Sequence, residues 1–211
     1  MPTPGFPVGT LTESGDPAWV DELSADPAHH QLHVVRGLSP QDAVMALGGT
    51  VLRNLEPGQL PEAVPDGYTP LCRVAVGEED DERGVLVAGQ SGEWTFVYDD
   101  QMLGEFPAVA ALLLSRDGRV AASSSYSINA DTDLAYAVDG VLTLCWSEPH
   151  HGQDIEFPAL LRPAVKAAGV YGDNPGVDMG VNLRVVCALA GLTWTVPELR
   201  RSALLVALCA D

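Results

Sequence analysis

Five histidines, four cysteines, a serine triplet and a run of carboxylates are the side chains of this 211-residue chain best suited to chemistry. His29, His30 and His33 sit together, and His150-His151 form a second group. Imidazoles from two such groups could hold zinc or a similar metal. Adjacent histidines on a strand point to opposite faces, however, and no carboxylate is spaced to help them. No metal site is expected. Ser123-Ser124-Ser125 lacks the G-x-S-x-G setting of an activated nucleophile and reads as the polar face of a strand. Cys72, Cys145, Cys187 and Cys209 form no C-x-x-C and each lies in an apolar run, so all four are expected as buried, reduced thiols. Gly48-Gly49 follows a helix, whereas phosphate-cradling glycines precede one. The segment 172–176 precedes a helix but has no lysine and carries an acid. No cofactor is expected.

The acidic residues point elsewhere. Glu78, Glu79, Asp80, Asp81 and Glu82 repel one another and suit a solvated loop tip, with Asp99-Asp100 as a second acidic pair. Neither stretch has the alternating oxygen ligands and turn glycine of a calcium loop. Together they could meet a basic protein partner, with Trp94 and Trp146 as interface aromatics. The net charge of −18 agrees. It disfavours nucleic acid, whose phosphates need Lys and Arg, and it disfavours anionic membranes. The function expected from these residues is a non-enzymatic, acidic protein-binding domain of the immunity-protein or antitoxin kind. The alternative is a small-molecule-binding or enzymatic module. Its site would lie between the central meander and the 50–70 connection, lined by Tyr126, Asn129, Asp131 and Asp133.

These residues need elements to position them. Residues 119–148 read as three consecutive strands. Val120, Ala122, Ser124 and Tyr126 alternate with their neighbours in the first, and Leu134, Tyr136 and Val138 share one face of the second. Asp139-Gly140 is a two-residue turn suited to type I′, joining the second strand to Val141–Trp146. Upstream, residues 1–16 carry enough proline and glycine to predict a flexible arm. Asp16-Pro17 opens a helix with Trp19, Val20 and Leu23 on its stripe. His30–Arg36 reads as a strand, and Ser39-Pro40 caps a helix that Gly48-Gly49 stops. Residues 50–70 form a long connection. Leu71–Val76, Gly84–Ala88 and Trp94–Tyr98 read as strands, and Phe106–Ser115 as an apolar helix. The C-terminal third is predicted helical, over 157–168, 177–190 and 199–208, with Thr195, Pro197 and Glu198 opening the last helix.

The expectation is therefore an α+β domain over residues 17–211. Its antiparallel sheet would have five to seven strands built on the meander, with helices on one face and a helical C-terminal third. The absence of a long apolar run and of a secretory leader pattern makes cytoplasm the expected location.

Four blocks carry a resemblance: Leu32 to Pro40, Gly92 to Tyr98, Asp133 to Gly140, and Leu192 to Leu199. Together they resemble an uncharacterised actinobacterial family, a domain of unknown function, from about residue 19 to the C-terminus. The resemblance implies an actinobacterial cytoplasmic protein and carries no activity with it. The acidic run and the serine-rich strand depart from the family's pattern.

Overall fold

The computed structural model describes residues 3–24, 30–62, 70–77, 83–99, 106–127, 132–147, 156–169 and 180–209. Eight strands form one antiparallel sheet: β1 (His30–Arg36), β2 (Thr50–Leu55), β3 (Val85–Ser91), β4 (Trp94–Asp99), β5 (Val120–Tyr126), β6 (Thr132–Val138), β7 (Val141–Ser147) and β8 (Leu204–Leu208). Their spatial order is β2-β8-β3-β4-β1-β5-β6-β7. The meander β5-β6-β7 forms one end of this order, and the Asp139-Gly140 turn has the positive φ values, 50° and 70°, that type I′ requires. The sheet has one strand more than the upper expectation.

Among the described residues there are seven helices: α1 (Ala18–Leu23), α2 (Pro40–Ala46), α3 (Leu71–Val76), α4 (Pro107–Leu114), α5 (Arg162–Ala167), α6 (Val181–Leu189) and α7 (Val196–Arg200). They cover both faces of the sheet, not one. Leu32, Val34, Phe96, Tyr98, Leu134, Tyr136 and Val206 pack against α1, α3, α5, α6 and α7. Val35, Val97, Leu86, Leu205 and Ala121 face the other way, against Ala43 and Val44 of α2 and Ala110 and Leu114 of α4. Edge-to-face contacts of Phe96 with Trp19 and Trp194, and a tilted Trp19–Trp194 pair, fill the larger layer, with ring centroids 5.1 to 6.1 Å apart.

Double coverage explains two corrections. Residues 204–208, expected inside a helix, are β8, an interior strand between β2 and β3, and all five are buried. A strand buried on both faces is continuously apolar, so Leu-Leu-Val-Ala-Leu has no period-2 signal. Conversely, Leu71–Val76 is a helix where a strand was expected. Its buried residues Leu71, Cys72, Ala75 and Val76 recur at helical spacing. The long connection also contains β2, a mostly exposed edge strand. The other C-terminal helices are shorter than expected, and α7 keeps its predicted start. There the Thr195 N–H and hydroxyl both donate to Glu198 Oε2, at 2.7 and 2.8 Å.

The arm expected to be flexible is docked over its described part. Gly5 N–H donates to the Ala167 carbonyl at 3.0 Å, and Phe6 and Thr10 are buried. Arg184 of α6 donates to the carbonyls of Gly15 and Ala168, at 2.9 and 3.0 Å, tying arm and α5 together. Among the described residues no helix is long and apolar enough to cross a membrane.

Candidate functional site

β1, β3 and β6 begin, and β4, β5, β7 and β8 end, at one end of the sheet. This end is polar on both faces. On the α4 face, cross-strand pairing aligns Asp99, Gln31, Ser125 and Asp133 along β4, β1, β5 and β6. Ser125 Oγ donates to Asp133 Oδ2 at 3.3 Å. Gln31 is buried, and its Oε1 has no hydrogen-bond partner.

One step further into the sheet, His33 lies opposite Ser123, with Nδ1 3.0 Å from the hydroxyl oxygen. Burial of the ring lowers its pKa from 6.5 to about 4, so the imidazole is neutral at pH 7. A serine beside a histidine has the parts of a nucleophile and its base. Here both are sealed from solvent, Ser123 at 0% and His33 at 1% exposure, and the pair is a core hydrogen bond.

The opposite face, under α6, carries a second polar group. Ser124 aligns across β6 with Leu134 and then with Trp146 of β7, and Tyr126 pairs with Thr132. Asn182, in the first turn of α6, donates from Nδ2 to Thr132 Oγ1 at 3.3 Å. Ser124, Thr132 and Asn182 are all buried. Ser124 Oγ, Asn182 Oδ1 and Trp146 Nε1 have no hydrogen-bond partner. Trp146 and Phe157 meet edge to face, centroids 6.0 Å apart, and both are half-buried, as is Tyr126.

Against this geometry the expected site residues divide. Asp99 was expected on a solvated, partner-facing loop; it ends β4 and is fully buried, so it is no direct partner contact. Tyr126 and Asp133 were expected to line one ligand site. They lie on opposite faces, because Tyr126 alternates with Ser124 and Asp133 with Ala135. The 50–70 stretch opens with β2, the far edge of the sheet from the meander. Glu78, Glu79, Asp80, Asp81, Glu82, Asp100, Asn129 and Asp131 lie outside the described residues, as do His29, His150 and His151. Among the described residues no group of three or more His, Cys, Asp or Glu could hold a metal.

Cys145 departs from its expected burial: it is exposed on edge strand β7, whereas Cys72, Cys187 and Cys209 are buried. Burial and the nearby Asp133 carboxylate raise the Cys145 pKa, which suppresses its thiolate. Trp94 and Trp146 are half-buried flanks of the larger core layer. Sequence reasoning passed over Gln31, Thr132 and Asn182 as site residues and read Ser124 as part of a polar strand face. The available signals were Ser124 in register with Val120 and Ala122, and a lone Asn in the apolar helix VNLRVVCAL.

No protein-family model matches this chain, and neither a curated protein nor a solved structure matches it. The resemblance to the actinobacterial family therefore stands on its four sequence blocks.

Proposed function

We propose that the protein is a cytoplasmic, non-enzymatic binding protein that meets a basic protein partner at the acidic end of its sheet, as an immunity protein or antitoxin would. The carrying observation is the acidic balance, 29 Asp and Glu against 11 Lys and Arg, with five of the carboxylates consecutive at Glu78 to Glu82. The run Glu78 to Glu82 leads into β3, Asp100 follows β4, and Asp131 precedes β6. In the sequence these carboxylates adjoin strand ends that lie at the same end of the sheet as Asp133. A negative field gathered at one end steers a basic surface towards it and fixes its orientation.

Titration with a defined cationic probe, a nona-arginine peptide, and with the basic products of neighbouring genes tests the reading. Binding should weaken steeply between 50 and 300 mM salt, roughly as screening of exposed charges dictates. Glu78→Gln with Glu79→Gln should weaken it about threefold or more, whereas the same charge removal at Glu56 and Glu93, on the other end of the sheet, should not. Equal losses from both pairs would refute the assignment.

A further inference from the structure

We propose that α5 carries a docking surface for an extended Gly-aromatic peptide segment, and that residues 3–9 fill it in cis as an autoinhibitory contact. The arm divides at Gly9, whose φ is 86° and whose Cβ position has nothing within 4 Å. After this hinge, residues 10–16 are built into the fold. Ala18 N–H donates to the Thr10 carbonyl at 2.9 Å, Thr12 N–H to the Asp16 carbonyl at 2.8 Å, and Leu11 bridges to Pro17. Arg184 donates to the Gly15 carbonyl at 2.9 Å. Before the hinge the hold is slight. Among the described residues one hydrogen bond joins residues 3–9 to a helix or strand, from Gly5 N–H to the Ala167 carbonyl at 3.0 Å. Within that segment only Phe6 is buried, while Pro4, Pro7, Val8 and Gly9 are exposed.

These contacts define what the surface takes. Phe6 shares the larger core layer with Ala164 and Val165 of α5, so its place accepts an aromatic ring. The Ala167 carbonyl lies in the last turn of α5, where carbonyls need a donor from outside the helix. The residue that supplies the N–H must be glycine. A Cβ on Gly5 would stand 2.4 Å from Ala167 Cβ and 3.0 Å from its Cα and carbonyl oxygen, and backbone cannot swing aside. Proline on either side of the Gly-Phe pair fixes φ and keeps the segment extended, so little entropy is lost on docking. One hydrogen bond and one side chain beside a glycine hinge open locally while the body stays folded. A partner protein with an extended Gly-aromatic segment then competes with a tethered copy of its own motif. Its apparent affinity falls with the fraction of time that the arm is open.

A labelled synthetic peptide with the sequence of residues 3–9, titrated against the full chain, tests this. The Phe6→Ala chain, whose ring site is empty, should bind the peptide saturably and about tenfold or more tighter than the parent chain does. Peptides carrying Gly5→Ala or Phe6→Ala should lose that binding. The proposal is overturned if the Phe6→Ala chain binds no better than the parent, or if the Gly5→Ala peptide binds as well as the unchanged one. Hydrogen exchange of the parent chain tests the opening without any variant. The Gly5 amide should exchange about a hundredfold or more faster than the β8 amides, with little response to dilute urea. A Gly5 amide as slow as those of β8 would mean that the arm opens only when the whole domain unfolds, and would refute the autoinhibitory contact. None of these readouts involves the acidic segments, so the outcome is independent of the partner reading above.

Discussion

His33 is sealed between β4 and β5, and its neutral form is the one the fold accepts. The folded pKa of about 4 lies below the ordinary 6.5, so between these values the unfolded chain binds the extra proton. The stability this supplies is complete above about pH 6.5 and is lost as pH falls towards 4, a contribution of about 3 kcal/mol. Urea unfolding at pH 7 and pH 4.5 should show a smaller pH-dependent loss in His33→Gln than in the parent chain. Identical losses would mean that the ring is not buried as described. Cys145 offers a simpler check. As the exposed thiol among four, it should be the one that a disulfide reagent labels in the native state, and slowly, because Asp133 and partial burial disfavour its thiolate. Rapid labelling of two or more thiols would contradict the burial of Cys72, Cys187 and Cys209.

At the scale of elements, the interior of the sheet is packed without room to spare around β3. Gly89 sits in β3 where a Cβ would come 2.7 Å from Phe96 Cε1 and 3.0 Å from Leu204 Cδ2. Phe96 cannot retreat, since it is held between Trp19 and Trp194. Gly89→Ala should therefore destabilise by about 1–3 kcal/mol, the usual cost of overpacking a full core. A denaturation midpoint equal to that of the parent would show that β3 and β8 pack more loosely. β8 also pairs with both β2 and β3, so its amides should be among the slowest to exchange with solvent.

At the scale of the whole molecule, both edges of the sheet are interrupted. The pairing register of β2 shifts around Leu52, and that of β7 around Thr143. Bulges of this kind twist an edge strand away from a regular ladder and blunt edge-to-edge pairing. With −18 of net charge, two copies also repel. The chain should run as a monomer in light scattering at 100 µM protein and 150 mM salt. A dimer that survives high salt would place an interface on one of these edges.

The amino-acid sequence by itself determined the local elements that carry their own punctuation. β1 is closed by the Gly37 turn, the start of α2 is set by its Ser39-Pro40 cap, and the meander by period-2 alternation and the Asp139-Gly140 turn. All of these stand as expected. The acidic balance was equally legible. Tertiary structure decided what periodicity leaves open. A uniformly apolar segment such as Leu204–Leu208 becomes strand or helix according to what covers it, and here helices on both faces make it an interior strand. Leu71–Val76 went the other way, a helix that buries Leu71, Cys72, Ala75 and Val76 at helical spacing. Pairing across the sheet also brought together Ser124, Thr132, Asn182 and Trp146, and separately His33 and Ser123, 90 positions apart. Such contacts depend on strand order and register, which no local spacing encodes.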